Sequence, residues 1–123
     1  MSTDVQPLVS RINVLYLYVR DMERSLGFYR DLLGLPMEGD EHWQEARFGD
    51  GFRFALHVAH EGLGELSSGT VHIDFQVTDV DEAAGKLRAA GVEVRETMRD
   101  EWGSAVEVID PDGYAIQLFE PPA

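Results

Sequence analysis

One pattern is stated twice in this chain, and that repetition restricts the fold more than any other feature. Val19-Arg20-Asp21-Met22-Glu23-Arg24-Ser25 recurs 58 residues later as Val77-Thr78-Asp79-Val80-Asp81-Glu82-Ala83, and Asp50-Gly51-Phe52 recurs 62 residues later as Asp112-Gly113-Tyr114. Two similar units of about sixty residues follow. Duplicated units pack about a pseudo-twofold axis, so a position in one half locates its counterpart in the other.

Within each unit the order of local signals is the same. Residues 11–19 are rich in β-branched and aromatic types and too short for an ordinary helix, which predicts a strand. Asp21 then stands as an N-cap before a helix running to Leu33, with Met22, Leu26, Phe28, Tyr29, Leu32 and Leu33 at helical spacing and Gly34 as its stop. The second unit offers a strand over 70–77, an N-cap at Asp79, a helix over 80–90 and a stop at Gly91. Shorter strand signals follow at 36–39, 42–48 and 52–59 in the first half, and at 92–97, 104–109 and 114–120 in the second. Asp50-Gly51 and Asp112-Gly113 supply turns between strands. Each unit therefore reads as βαβββ: module 1 over about 11–60, a glycine-rich linker over about 61–69, and module 2 over about 70–120, together a single domain over 1–123.

Composition narrows the function classes. Twenty-three acidic against ten basic residues give a formal charge of −13, a field that repels nucleic acid and anionic membranes and favours a neutral or cationic partner, although acidity for solubility alone gives the same balance. There is no cysteine, so no disulfide framework. Met1-Ser2-Thr3-Asp4 lacks the basic start of a signal peptide and no apolar run reaches membrane-spanning length, which together predict a cytoplasmic protein.

The paired βαβββ units, the Val-x-Asp entry to a helix containing Phe28-Tyr29, Leu33-Gly34-Leu35, and the closing run Asp110-Pro111-Asp112-Gly113-Tyr114-Ala115-Ile116-Gln117-Leu118-Phe119-Glu120 together resemble the vicinal oxygen chelate superfamily. Glyoxalase I, extradiol dioxygenases, fosfomycin-resistance enzymes and bleomycin-binding proteins belong to it. The resemblance spans about residues 11–120. It implies an α+β fold in which two tandem modules form cupped mixed sheets around a cavity, with helices on the convex side, and it implies a homodimer.

Strand alternation assigns faces within that frame, because successive side chains point to opposite sides of a sheet. Val71, Ile73, Phe75 and Val77 form a helix-facing row and leave His72, Asp74 and Gln76 to the cavity; Ile116 and Leu118 leave Ala115, Gln117 and Phe119; Phe52, Phe54, Leu56 and Val58 leave Arg53, Ala55 and His57. Parity with the repeat places Ile12, Val14, Tyr16 and Tyr18 on the cavity side.

The resemblance also implies four metal-ligand places, which the repeat maps to Val14 with His72 and to Ala55 with Gln117. Only His72 is a good ligand and Gln117 a weak one, whereas a catalytic divalent cation takes about three His or carboxylate ligands. The expectation is no metal and no cofactor, with a displaced site from His57, His72, Asp74 and Gln117 as the exception. His72 otherwise reads as a neutral hydrogen-bonding group, and His42 and His60 as solvated surface groups.

With the ligands missing, the chain resembles the bleomycin-binding branch: it is acidic, and it carries Trp43 and a Glu101-Trp102-Gly103 run, the two Trp residues lying 59 apart. Flat aromatic rings stack on planar ligands, and equally complete a core or a dimer interface. The expected function is metal-independent binding and sequestration of an aromatic or cationic natural product or antibiotic. The expected ligand-binding residues are Tyr16, Tyr18, Trp43, His57, His72, Asp74, Gln76, Trp102 and Gln117. The alternatives are a metal-dependent lyase, isomerase or dioxygenase acting on vicinal oxygens, and cofactor-free acid–base chemistry by His72 with Asp74.

Overall fold

The computed structural model describes residues 13–64, 66 and 73–123. His72, Val71 and Ile12 lie outside the described residues. The first module contains β1 (Leu15–Val19), α1 (Met22–Leu26) continuing as a π-helical stretch (Gly27–Leu32), β2 (Glu38–Gly39), β3 (Trp43–Arg47) and β4 (Arg53–Val58). The second contains β5 (Ile73–Gln76), α2 (Val80–Ala89), β6 (Met98–Asp100), β7 (Gly103–Ile109) and β8 (Ala115–Glu120). Each module makes one four-stranded sheet, ordered β1-β4-β3-β2 and β5-β8-β7-β6, with its first and last strands parallel and the remaining pairs antiparallel. The duplication read from the sequence is thus a duplication of topology.

The repeated aspartates cap both helices. Asp21 and Asp79 have extended backbones, and their carboxylates accept from the Arg24 and Glu82 amides at 3.1 and 3.0 Å, satisfying donors that the first helical turn leaves open. Gly34 and Gly91 follow the two helices at φ 78° and 83°, a conformation that any Cβ would strain.

Two elements differ from the sequence reading. The first helix is not α-helical to Leu33: after Leu26 it widens, and the Leu33 amide reaches back five residues to the Phe28 carbonyl at 2.9 Å. The wider turn accompanies the burial of both Phe28 and Tyr29, whose rings meet edge to face at 4.9 Å. The sixth strand lies at Met98–Asp100, not 92–97. Val92 and Val94 do pack on the core, but the segment meets β7 through one bridge at Val94 and Val108, loop bonds from Arg95 to Glu107 and from Ile109 to Glu93, and an Arg95–Glu107 ion pair, without forming a strand.

A single apolar core joins the modules. Leu17, Val19, Phe54 and Leu56 of sheet one and Ile73, Val106, Val108, Ile116 and Leu118 of sheet two are buried with Leu26, Tyr29, Val80, Ala84 and Leu87 of the helical segments. Each such large side chain contributes about 1.5–3 kcal/mol by leaving water. Phe54 and Phe75 meet across the modules at 5.2 Å.

The Asp110–Gly113 turn adds a polar clamp between the halves. The Tyr29 hydroxyl donates to Asp110 Oδ2 at 2.7 Å, while Asp110 Oδ1 accepts from the Asp112 and Tyr114 amides at 2.9 and 2.8 Å. Burial raises both the Asp110 carboxyl and the Tyr29 phenol above their ordinary values, and the Asp110 charge raises Tyr29 further. Asp112 accepts from the Arg24 guanidinium at 3.1 Å and the Ser25 hydroxyl at 3.4 Å, and the Tyr114 hydroxyl donates to the Tyr18 carbonyl at 3.0 Å. The second module therefore grips the entry of the first module's helix.

Candidate ligand-binding site

Register decides which side chains share a face. Tyr16 lies opposite Ala55, Tyr18 opposite His57, Trp43 opposite His57, and Glu45 opposite Ala55. On β1, Leu17 and Val19 point into the core, which turns Tyr16 and Tyr18 to the other side of the sheet. Four rings converge there. Tyr16 meets Trp43 at 5.3 Å, Tyr18 at 5.6 Å and His57 at 6.0 Å, and His57 meets Tyr18 at 5.4 Å and Trp43 at 5.8 Å. His60 joins the margin, 5.7 Å from Tyr18 and edge to face with it, although otherwise exposed as expected for a surface histidine. Tyr16 keeps 41% of its surface open, so this cluster is a platform and not a closed core.

Glu45 anchors the platform. Its Oε1 accepts from the Trp43 indole at 2.9 Å and from Arg53 Nη2 at 2.8 Å, and its Oε2 from Arg53 Nε at 3.1 Å and Arg47 Nε at 2.8 Å. Four donors fill the carboxylate, and the Arg53 fork, the Trp43 hydrogen bond and the Arg47 charge hold its pKa down to about 2. It is a fixed anion that orients the indole rather than a proton acceptor. Sequence reasoning missed this residue, though its parity with Trp43 two places earlier was the available signal.

Because the Glu45 carboxyl titrates at about 2 in the folded chain against an ordinary 4.5, it contributes stability that is complete above 4.5 and is lost as pH falls toward 2. Denaturant titrations should therefore show the stability difference between wild type and Glu45→Gln shrinking across that window. A pH-independent difference would contradict the anchoring role.

The second sheet carries a different surface. Asp74, Gln117 and Glu107 lie in one row across β5, β8 and β7, with the Gln117 amide donating to Asp74 Oδ2 at 2.9 Å. Glu96, Met98, Asp100, Trp102, Glu107 and Gln117 are among the residues lining a hollow of about 430 Å³. Trp102 and Met98 stand 74% and 69% exposed beside it, Trp102 in the turn between β6 and β7. Gln76 is exposed on β5, in register with Phe119.

The expected site residues thus form two groups. Tyr16, Tyr18, Trp43 and His57 meet on sheet one; Asp74 and Gln117 meet on sheet two, with Trp102 across the same hollow and Gln76 on the neighbouring edge strand. A larger apolar cavity, about 550 Å³, lies between the modules and is lined by helix-facing residues of both sheets, including Phe54, Phe75 and Leu118, with Asp74 and Gln76 at its margin. Its lining is mainly apolar, with Asp50, Asp74 and Gln76 as polar members, whereas the aromatic row of sheet one does not line it and stands open for stacking. Among the described residues, no group of three His, Cys, Asp or Glu side chains is placed to hold a metal ion. Val14 is half-buried and Ala55 fully buried, and neither offers a donor atom at the two places inherited by resemblance. His72, the inherited place that carries a good ligand, lies outside the described residues.

Two tandem βαβββ modules, each a four-stranded mixed sheet with one parallel pair, define an α+β fold built by duplication. Residues 11–118 match the Glyoxalase/Bleomycin resistance protein/Dioxygenase superfamily, and the chain belongs to that family. It is 34% identical over 118 residues to a lactoylglutathione lyase of Haemophilus influenzae, covering 85% of this chain and 87% of that protein. It is 26% identical to the glutathione transferase FosA of Serratia marcescens, covering 90% and 81%. Among solved structures it resembles TnmS3, an antibiotic binding protein from Streptomyces sp. CB03234, with a TM-score of 0.76 at 23% identity over 95% of this chain and all of the other.

Proposed function

We propose that this protein binds a planar aromatic small molecule, neutral or cationic, and sequesters it without a metal and without chemical conversion. A natural product or antibiotic is the expected ligand class. The observation that carries this reading is the open platform of Tyr16, Tyr18, Trp43 and His57, with the Trp43 indole fixed by Glu45. Rings already held in place lose little freedom when a flat ligand stacks on them. The similarity to an antibiotic binding protein supports the same class.

A second copy of the chain completes the site in this reading. One chain presents its aromatic and acidic rows on separate faces, and the exposed Trp102 and Met98 stand beside the acidic one. Apposing the aromatic face of one copy with the acidic face of another would sandwich a planar cation between rings and carboxylates. Sedimentation equilibrium should then report a dimer.

The test uses Trp102→Phe protein, so that Trp43 is the only indole, and a panel of 9-aminoacridine, ethidium and aromatic antibiotics. Saturable quenching is expected, unchanged by EDTA, and the affinity measured by calorimetry should fall about 30-fold or more in Trp43→Ala, the usual scale for a central stacking residue. Absence of saturable quenching across the panel would sink the reading. The likeness to lactoylglutathione lyases favours the alternative, a metal-dependent lyase, isomerase or dioxygenase. Stoichiometric metal in protein purified without chelators, lost on His72→Ala, would establish that alternative instead.

A further inference from the structure

His57 carries a chemical requirement that the stacking platform alone does not. Its Nδ1 lies 2.7 Å from the Val58 carbonyl oxygen. A carbonyl oxygen only accepts, so Nδ1 bears the hydrogen, and in the neutral ring Nε2 is left as a bare lone pair. The tautomer is thereby fixed by the backbone of the next residue.

Nothing described in the protein satisfies that lone pair. The Trp43 indole N–H, the nearest aromatic donor on the strand opposite, is committed to Glu45 Oε1 at 2.9 Å. The Tyr18 ring lies edge to face with Tyr16 at 5.6 Å and 5.4 Å from the His57 ring, and no side-chain hydrogen bond joins it to His57. The Arg53 guanidinium, on the same strand and face as His57, is spent on Glu45 and on Asn13 Oδ1 at 3.2 Å. The platform therefore holds, beside an indole already committed to Glu45, one ring acceptor with no hydrogen-bond partner among the described residues.

We propose that His57 Nε2 is the specificity-determining acceptor of the site, selecting planar ligands that carry a hydroxyl or N–H donor at the ring edge, of which a phenol is the simplest. The proposal rests on the stacking reading above. A ligand lacking the donor would cover the lone pair without replacing its bond to water, and that deficit is what discriminates. A carboxylate or ether oxygen at the same place would face the lone pair and be rejected.

The matched probes are 2-naphthol and 2-methoxynaphthalene, titrated calorimetrically into wild-type and His57→Phe protein. Wild type should bind the naphthol about tenfold more tightly, the scale of one hydrogen bond of about 1.4 kcal/mol. In His57→Phe, which keeps a ring in the stack, the ratio should fall to near one while the ether's affinity stays within about twofold. In wild-type protein labelled with ¹⁵N-histidine, the naphthol and not the ether should move the His57 Nε2 resonance, a readout that does not depend on the variant folding. Equal binding of both probes to wild type, a preference that survives His57→Phe, or an unmoved Nε2 resonance would overturn the role of His57 and leave the stacking reading standing. Failure of both probes to bind would overturn the two together.

Discussion

Asp110→Ala should lower the unfolding free energy by about 3 kcal/mol, the largest effect expected of any single polar substitution in this chain. The side chain is 5% exposed and serves three donors at once: the Tyr29 hydroxyl from the first module and the Asp112 and Tyr114 amides of its own turn. Alanine would leave all three without that acceptor, and a buried orphan donor costs about 1–3 kcal/mol when water cannot replace the partner. The desolvation that raises the Asp110 carboxyl offsets part of this, because the wild-type group already bears a burial cost. Asp110→Asn, which retains an acceptor oxygen, should lose about half as much. Urea titration monitored by fluorescence and by circular dichroism measures both. An Asp110→Ala protein within 1 kcal/mol of wild type would mean that the clamp between the modules adds little beyond the apolar core.

Gly39→Ala is the second large effect. Gly39 has φ 152°, and a methyl group there would overlap the carbonyl oxygen of Trp43, which is backbone and cannot swing aside as a side chain would. Relief requires β2 to move away from β3, breaking the pairing of Gly39 with Gln44 and shifting Trp43 in the aromatic platform. A destabilisation of about 3 kcal/mol is expected, with the Trp43 emission of a Trp102→Phe background moved to longer wavelength and quenching by 9-aminoacridine weakened. Gly62→Ala is the control. Gly62 also has positive φ, 89°, but a methyl there meets nothing, so the cost should be about 1 kcal/mol with no change in Trp43. Equal effects at the two positions would show that backbone strain, and not the overlap with Trp43, governs.

What the sequence disclosed follows from how local each determinant is. The caps at Asp21 and Asp79 were legible because an N-cap needs only the residue and the helix it begins. The faces of β4, β5 and β8 were legible because apolar residues alternate there, and the face of β1, nearly all apolar, was legible through parity with its repeat mate, which placed Tyr16 and Tyr18 on the His57 surface. The π-helical turn was not, since spacings of four and five residues bury nearly the same apolar set. Strand β6 was missed for the opposite reason: Met98, Arg99 and Asp100 are all exposed and offer no alternation, while Val92 and Val94 imitate a strand by packing on the core from a loop. At the site, Glu45 escaped because its importance comes from cross-strand register. The pairing of Arg47 with Arg53 brings both guanidinium groups to one carboxylate, and sequence spacing does not state which residues of different strands meet.

Interchangeability of the two halves ended at the β7–β8 turn that clamps the second module onto the first. Sixty-two residues before Asp110 and Asp112 stand Phe48 and Asp50, and Phe48 lines the apolar cavity between the modules while the Asp50 carboxylate accepts from the Phe52 amide within its own turn at 2.9 Å. A protein assembled from two copies of the first half would keep the topology and lose the grip on Tyr29, Arg24 and Ser25. The repeated topology therefore carries a lock in one half and a key in the other, and neither half is a spare for its twin.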